Sequence, residues 1–312
     1  DVAAASMAGW SGPGATSDGH PVLILANVAD GAAARAARQA PVEGVGLFRT
    51  ELCFLERDSE PSVDEQASIY GEVLEAFAGH KVVIRTLDAG SDKPLKFVTT
   101  PAEANPALGV RGFRIVAHNA ELVARQLDAI AVAAERTGNA PWVMAPMIAT
   151  ADEARQFAGL ARDRGLHPGV MIEVPAAALL AGRLLEHVEF LSIGTNDLAQ
   201  YTMAADRMSS DLATLTDPWQ PGVLALVAAT ARAGAAVGKP VGVCGEAAAD
   251  PMMACVLTGF GVTSLSAAAS AVTPVGAKLA TVTLQQCRDA ADAVLATATP
   301  AQAREAAMAV LG

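Results

Sequence analysis

Phe190-Leu191-Ser192-Ile193-Gly194-Thr195-Asn196-Asp197, running on through Leu198-Ala199-Gln200-Tyr201 to Asp206-Arg207, shows the unit from which the chain is built. The short apolar run reads as a buried strand. The Gly-Thr-Asn-Asp cluster reads as its C-terminal end opening into a loop, with a helix from about Leu198. Asn and Asp side by side at such an end can cap the helix that follows. They can also serve a ligand, Asp197 as an oxygen donor to a hard cation and Asn196 with Arg207 as a clamp on an anion. The stretch alone leaves both readings open.

The same unit recurs outward in both directions. Apolar strands are expected at 21–28, 44–48, 81–84, 142–145, 169–172, 190–193, 240–243 and 262–265. Helical patterns fall between them, at 31–39, 62–78, 120–136, 152–164, 176–185, 221–236 and 252–257, with terminal helices at 285–296 and 300–310. Ser62 and Glu65 form a plausible capping box, and Pro221 sits where a missing N–H costs little. A polar excursion occupies 89–112. Eight strand–helix units predict a (β/α)8 TIM barrel over residues 20–312, with residues 1–19 as a linker end. An open doubly wound sheet is the competitor. No G-x-G-x-x-G follows the first strand and no Gly-rich Walker loop is present, so its nucleotide-binding versions lack support.

Composition narrows the class. Of 312 residues, 52% are hydrophobic and only 18% charged, enough apolar material for a large core. The net charge of -11 and pI near 4.9 argue against a nucleic-acid partner or an anionic membrane surface. Positive charge for an anionic ligand must then be local. Cys53, Cys244, Cys255 and Cys287 are widely spaced without a CxxC, which predicts a reduced, cytoplasmic setting. The start lacks the basic n-region of a signal peptide and an initiator Met, and reads as a segment of a longer chain. Residues 251–277 carry no charge, but Gly259, Gly261, Pro274 and Gly276 break them into barrel-sized pieces rather than a membrane span.

In such a barrel the strand C-termini build the site. Those ends carry Arg49 and Glu51, Arg85 and Asp88, Met147, Glu173, Asn196 and Asp197, and Cys244 with Glu246. Guanidinium forks directly after two apolar strands suit phosphate or carboxylate oxygens. Glu173 and Asp197, on consecutive strands, would repel unless a cation lies between them, and Mg2+ suits two carboxylates plus substrate phosphate. The plainer alternative pairs Arg49 and Arg85 with these acids as salt bridges. Repetition of such chemistry over strands two, three, five, six and seven favours a site. Cys255 and Cys287 read as small buried hydrophobes. Cys244, at a strand end, can be a nucleophile or a proton donor. No His lies near it in sequence, and His20, His80, His118, His167 and His187 receive no role.

Longer motifs carry a resemblance. They are Gly44-Val45-Gly46-Leu47-Phe48-Arg49-Thr50-Glu51, the run from Arg85-Thr86-Leu87-Asp88 to Asp92-Lys93-Pro94, and Asn105-Pro106-Ala107-Leu108-Gly109-Val110-Arg111. Met171-Ile172-Glu173-Val174-Pro175, Gly194 to Arg207, and Gly242-Val243-Cys244-Gly245-Glu246 complete the set. In this order, over about 20–270, the chain resembles the C-terminal, phosphoenolpyruvate-binding half of enzyme I of the bacterial sugar phosphotransferase system, the phosphoenolpyruvate-protein phosphotransferases. The resemblance implies that Arg49, Arg85, Arg111, Asn196, Arg207 and Lys93 hold phosphoenolpyruvate. It implies that Glu173 and Asp197 ligate Mg2+, and that Cys244 protonates the enolate carbon as pyruvate forms. It further implies a homodimer, a phosphoryl-accepting histidine on a separate N-terminal domain, and HPr as the next acceptor.

Two features depart from the pattern. The Gly-rich acceptor motif ending in Ser-His is absent, so the chain is expected to bind phosphoenolpyruvate and Mg2+ without completing the relay alone. Ala267 stands after Ser266 where the family pattern leads one to expect Met, which predicts a roomier rim. The corresponding half of pyruvate phosphate dikinase or phosphoenolpyruvate synthase is the near alternative. A non-catalytic dimerisation module and a metal-dependent aldolase or lyase on the same barrel are the distant ones. The run Leu198 to Arg207 and the short loops favour enzyme I.

Overall fold

Strand alternation decides which residues the barrel swallows. In the strand His167–Ile172, Val170 and Ile172 join the outer core with the helices, while Met171 points to the barrel axis. The computed structural model describes residues 9–55, 57–90, 94–98 and 102–312. Eight strands close into one barrel in sequence order: β1 Leu23–Val28, β2 Gly44–Arg49, β3 Lys81–Arg85, β4 Trp142–Ala145, β5 His167–Ile172, β6 Phe190–Ile193, β7 Val241–Val243 and β8 Ser264–Ala267. Every pairing is parallel, from β1–β2 round to β8–β1. The fold is a (β/α)8 barrel.

Leu47, Val83, Met144, Met171, Phe190 and Cys244 fill its axis. The outer core lies between strands and helices, with Tyr70, Phe77, Leu127 and Phe157 fully buried. Register slips in β2, where Ala26 faces Val45 but Asn27 faces Leu47. The extra residue is accommodated at Gly46, where a Cβ would lie 2.4 Å from Ser266 Oγ. Small residues are therefore required on both sides of this part of the axis.

Helix ends follow their capping chemistry. Ser62 and Glu65 form a capping box on the helix Val63–Ala76, and Pro221 opens Pro221–Val237. Four expectations need correction. The helix after β6 spans Thr195–Met203, with Gly194 at its N-cap and no side-chain cap, so Asn196 and Asp197 sit in its first turn instead of capping it. The pattern at 176–185 divides at Leu180 into Pro175–Leu179 and Ala181–Leu184. β8 begins two residues late, at Ser264, because Leu23 pairs there. An unexpected helix, Ala269–Leu279, follows β8 and contains Pro274. Within 9–19, Trp10 packs on Gly276, where a Cβ would lie 2.3 Å from the ring. Ser17 N–H also donates to Val282 O at 2.8 Å. No helix among the described residues is long and apolar enough to cross a membrane.

Candidate active site

Parallel strands deliver their C-termini to one rim, and the rim holds a cavity of about 380 Å³. Arg49 from the end of β2, Arg85 from β3, Glu173 after β5, Asn196, Asp197 and Arg207 after β6, and Cys244 after β7 all line it. Arg111 does not. It lies 2% exposed behind the wall, and Lys93 lies outside the described residues. Ala267 is buried opposite Ala26 and off the cavity.

The arginines are not paired as the plain salt-bridge reading expects. Arg85 Nη2 donates to Glu51 Oε1 at 3.1 Å, and its Nη1 lies 3.4 Å from Asp88 Oδ2. Arg111 Nη2 donates to Asp88 Oδ2 at 2.9 Å, and its Nη1 to Asp197 Oδ1 at 3.3 Å. Burial works against both charges, but Glu51 and Asp88 around Arg85, and Asp88 and Asp197 around Arg111, more than offset it and keep both protonated. Arg207 Nη1 stands 3.8 Å from Asp197 Oδ2. Arg49 is exposed, and no ion pair among the described residues engages it.

Glu173 is 1% exposed. Its Oε2 accepts from Met147 N–H at 2.9 Å. Met147 holds φ at +61°, an uncommon value for a side-chain-bearing residue, and that turn accompanies the N–H bond to the acid. Burial, then Asp88 and Asp197, push the Glu173 carboxyl from 4.5 up to about 8. Gly194 leaves the room Glu173 needs, since a Cβ there would lie 2.9 Å from its Cγ and Oε1. A buried acid whose charge is disfavoured in part by a second acid beside it is a donor set that a divalent cation relieves. Among the described residues no group of three or more His, Cys, Asp or Glu forms a metal cage. Glu173 and Asp197 thus fit an ion that takes its remaining oxygens from ligand and water, as Mg2+ does.

Cys244 is 3% exposed, and burial raises its thiol to about 11, so it stays protonated at neutral pH. Its N–H donates to Ile193 O at 3.0 Å. Asn196 Oδ1 accepts Glu246 N–H at 3.1 Å, which fixes the amide and leaves its NH2 as a donor.

Three supporting residues escape sequence reasoning. Tyr201 hydroxyl donates to Ala107 O and accepts from Arg111 Nη1 at 3.2 Å, tying the 104–111 loop to the helix Thr195–Met203. Gln200 Oε1 accepts Arg207 N–H at 3.0 Å. Asn27, at the end of β1, donates to Cys244 O at 3.1 Å. Tyr201 and Gln200 lie on a helix, not at a strand end, and Asn27 gives no charge signal.

Comparison with known proteins places the chain in a family. Residues 10–284 match the phosphoenolpyruvate-binding domain of the phosphoenolpyruvate-utilising enzymes. The chain is 54% identical over 292 residues to the phosphoenolpyruvate-protein phosphotransferase of Streptomyces coelicolor, covering 93% of this chain and 52% of that one. It is 43% identical over 286 residues to the multiphosphoryl transfer protein of Rhodobacter capsulatus, covering 89% and 34%. The chain spans about half the length, or less, of these relatives. Among solved structures, an HpcH/HpaI aldolase/citrate lyase family protein from Burkholderia cenocepacia superposes with a TM-score of 0.51 at 18% identity, covering 82% of this chain and 91% of that one. That likeness concerns the fold alone.

Proposed function

We propose that this chain, which belongs to the phosphoenolpyruvate-utilising enzymes through their phosphoenolpyruvate-binding domain, is the phosphoenolpyruvate- and Mg2+-binding half of a phosphoenolpyruvate-protein phosphotransferase. In this reading the phosphoryl group passes to a histidine on a separate domain and then to HPr, and pyruvate is released. The observation that carries it is the convergence of Arg49, Arg85, Arg207, Asn196, Glu173, Asp197 and Cys244 on one cavity.

The residues divide the work by charge. Arg49 and Arg207 meet the anionic ligand from the open side of the cavity, and Arg85 from its wall. Asn196, its carbonyl oxygen fixed by Glu246 N–H, donates to the same ligand. Arg111 joins them when its guanidinium turns from Asp197 to the phosphate, and Lys93 is a further ligand for that group. Glu173 and Asp197 hold Mg2+. When bound, that ion supplies positive charge against the phosphoryl oxygens of a loose transition state. Cys244 holds a proton at Sγ within reach of the cavity. Once the P–O bond to the departing group breaks, the enolate carbon takes that proton and becomes the methyl group of pyruvate. Residues 20–312 make up this domain, and we propose that it works in the cytoplasm as a homodimer.

Calorimetry of phosphoenolpyruvate binding with and without Mg2+ tests the reading. Binding that requires the metal is expected, and no heat at millimolar ligand overturns it. Adding the isolated histidine-bearing half is expected to restore pyruvate release. Sedimentation velocity checks the dimer.

A further inference from the structure

We propose that Asn27 and Ser266 are positioning residues that clamp Cys244 from the far side of the barrel seam. β7 is three residues long, and its ladder to β8 stops at Val243 opposite Leu265. Cys244 therefore lies one step beyond the sheet on that side. On the β6 side its N–H is held by Ile193 O at 3.0 Å. Its carbonyl is held by Asn27 Nδ2 at 3.1 Å, reaching from β1 past β8. Asn27 Oδ1 is itself fixed by Ser266 Oγ at 2.5 Å. Ser266 can stand there because the opposing residue is Gly46, where a Cβ would lie 2.4 Å from Oγ. Neither Asn27 nor Ser266 lines the rim cavity, so their contact with the chemistry runs through Cys244.

The clamp is neutral. It fixes the Cys244 backbone from which the thiol projects, without altering the charge balance of the arginines and acids around it. A thiol that delivers its proton to a carbon must hold both distance and direction, and a misplacement near 1 Å is costly. The inference rests on Cys244 being the proton donor of the proposed reaction.

The test uses Asn27→Ala, Asn27→Asp and Ser266→Ala. In the chain complemented by its histidine-bearing half, kcat for pyruvate formation is expected to fall on the order of tenfold or more. Phosphoenolpyruvate affinity in the presence of Mg2+ is expected to hold within about twofold. Asn27→Asp preserves the shape and the Ser266 bond but cannot donate to the Cys244 carbonyl, so it is expected to be as impaired as Asn27→Ala. Normal turnover in Asn27→Asp overturns the proposal, because the donor to the Cys244 carbonyl is then not needed. Equal losses of kcat, ligand affinity and melting temperature overturn it too. A second measurement needs no ligand: alkylation of Cys244 by iodoacetamide, followed on its own peptide, is expected to speed up about threefold or more as the clamp loosens. Wild-type alkylation rates in all three variants overturn the clamp. Absence of Mg2+-dependent phosphoenolpyruvate binding in the wild type overturns the proposed function instead, and the alkylation comparison still judges the clamp.

Discussion

Glu173 is a buried acid that is destabilised by its own ionisation. Its folded pKa of about 8 lies above the ordinary 4.5, through burial first and then Asp88 and Asp197. Its stabilising contribution is therefore full below pH 4.5 and lost as pH rises through about 8. Mg2+ binding needs the carboxylate, so metal uptake releases a proton and tightens as pH rises towards 8. Glu173→Gln is expected to melt higher than the metal-free wild type at pH 8, with the gain shrinking towards pH 4.5, and to lose stabilisation by Mg2+. Differential scanning fluorimetry across that range checks it; melting curves parallel to the wild type at both ends contradict the role. That Glu173, Asp197 and Cys244 share one rim is legible in sequence, because each follows an apolar strand. The partners are not. Glu51 and Asp88 stood at strand ends too, yet their choice of Arg85 and Arg111 is set by distances across the rim that no spacing encodes.

Elements were legible where propensity and burial agree, and obscure where a neighbour decides. The apolar run predicts β8 from Val262, yet its inward positions are Ser264 and Ser266, whose hydroxyls lie against Gly242 and Gly46. An apolar-run reading looks for the opposite. The helix Ala269–Leu279 hides behind Pro274 and Gly276, both poor helix interiors. Packing on the Trp10 ring supplies a use for Gly276 that local sequence cannot reveal. Two tests belong at this scale. Gly194→Ala puts a methyl 2.9 Å from Glu173 Cγ and 3.0 Å from Met171 Cε, so the acid must shift. Mg2+-dependent ligand affinity is expected to weaken about tenfold, the effect of roughly 1.4 kcal/mol. Calorimetry giving wild-type affinity removes Gly194 from the site's support. Asp250 caps Pro251–Phe260 through Met252 and Met253 N–H and accepts from Trp219 Nε1 at 3.2 Å. Asp250→Ala is expected to cost about 1–2 kcal/mol in urea unfolding.

At the scale of the whole molecule, the two ends of the barrel have opposite tasks. A chain of net charge -11 gathers Arg49, Arg85 and Arg207 at the mouth, where ligand charge is to be met. The base serves stability, as the N-terminal face of such barrels does. There Lys81 lies with its ammonium 3.9 Å from the Trp142 ring centroid and 5.6 Å from that of Phe190. Burial lowers its pKa from 10.5 to about 8, a desolvation that the two ring contacts oppose. A depressed lysine contributes stability that is fully present above pH 10.5 and lost as pH falls through about 8. At neutral pH the folded protein therefore carries a charge it would shed more readily than the unfolded chain. Lys81→Met retains an unbranched chain that can cover the same rings. It is expected to melt higher than the wild type at pH 7, with the difference closing as pH approaches 10.5. Its phosphoenolpyruvate affinity is expected to stay unchanged, because Lys81 opens β3 while the ligand cavity lies at the strand's other end. A Met variant less stable at pH 7, or a difference that ignores pH, means the cation–π contacts outweigh desolvation and the base is held by charge after all.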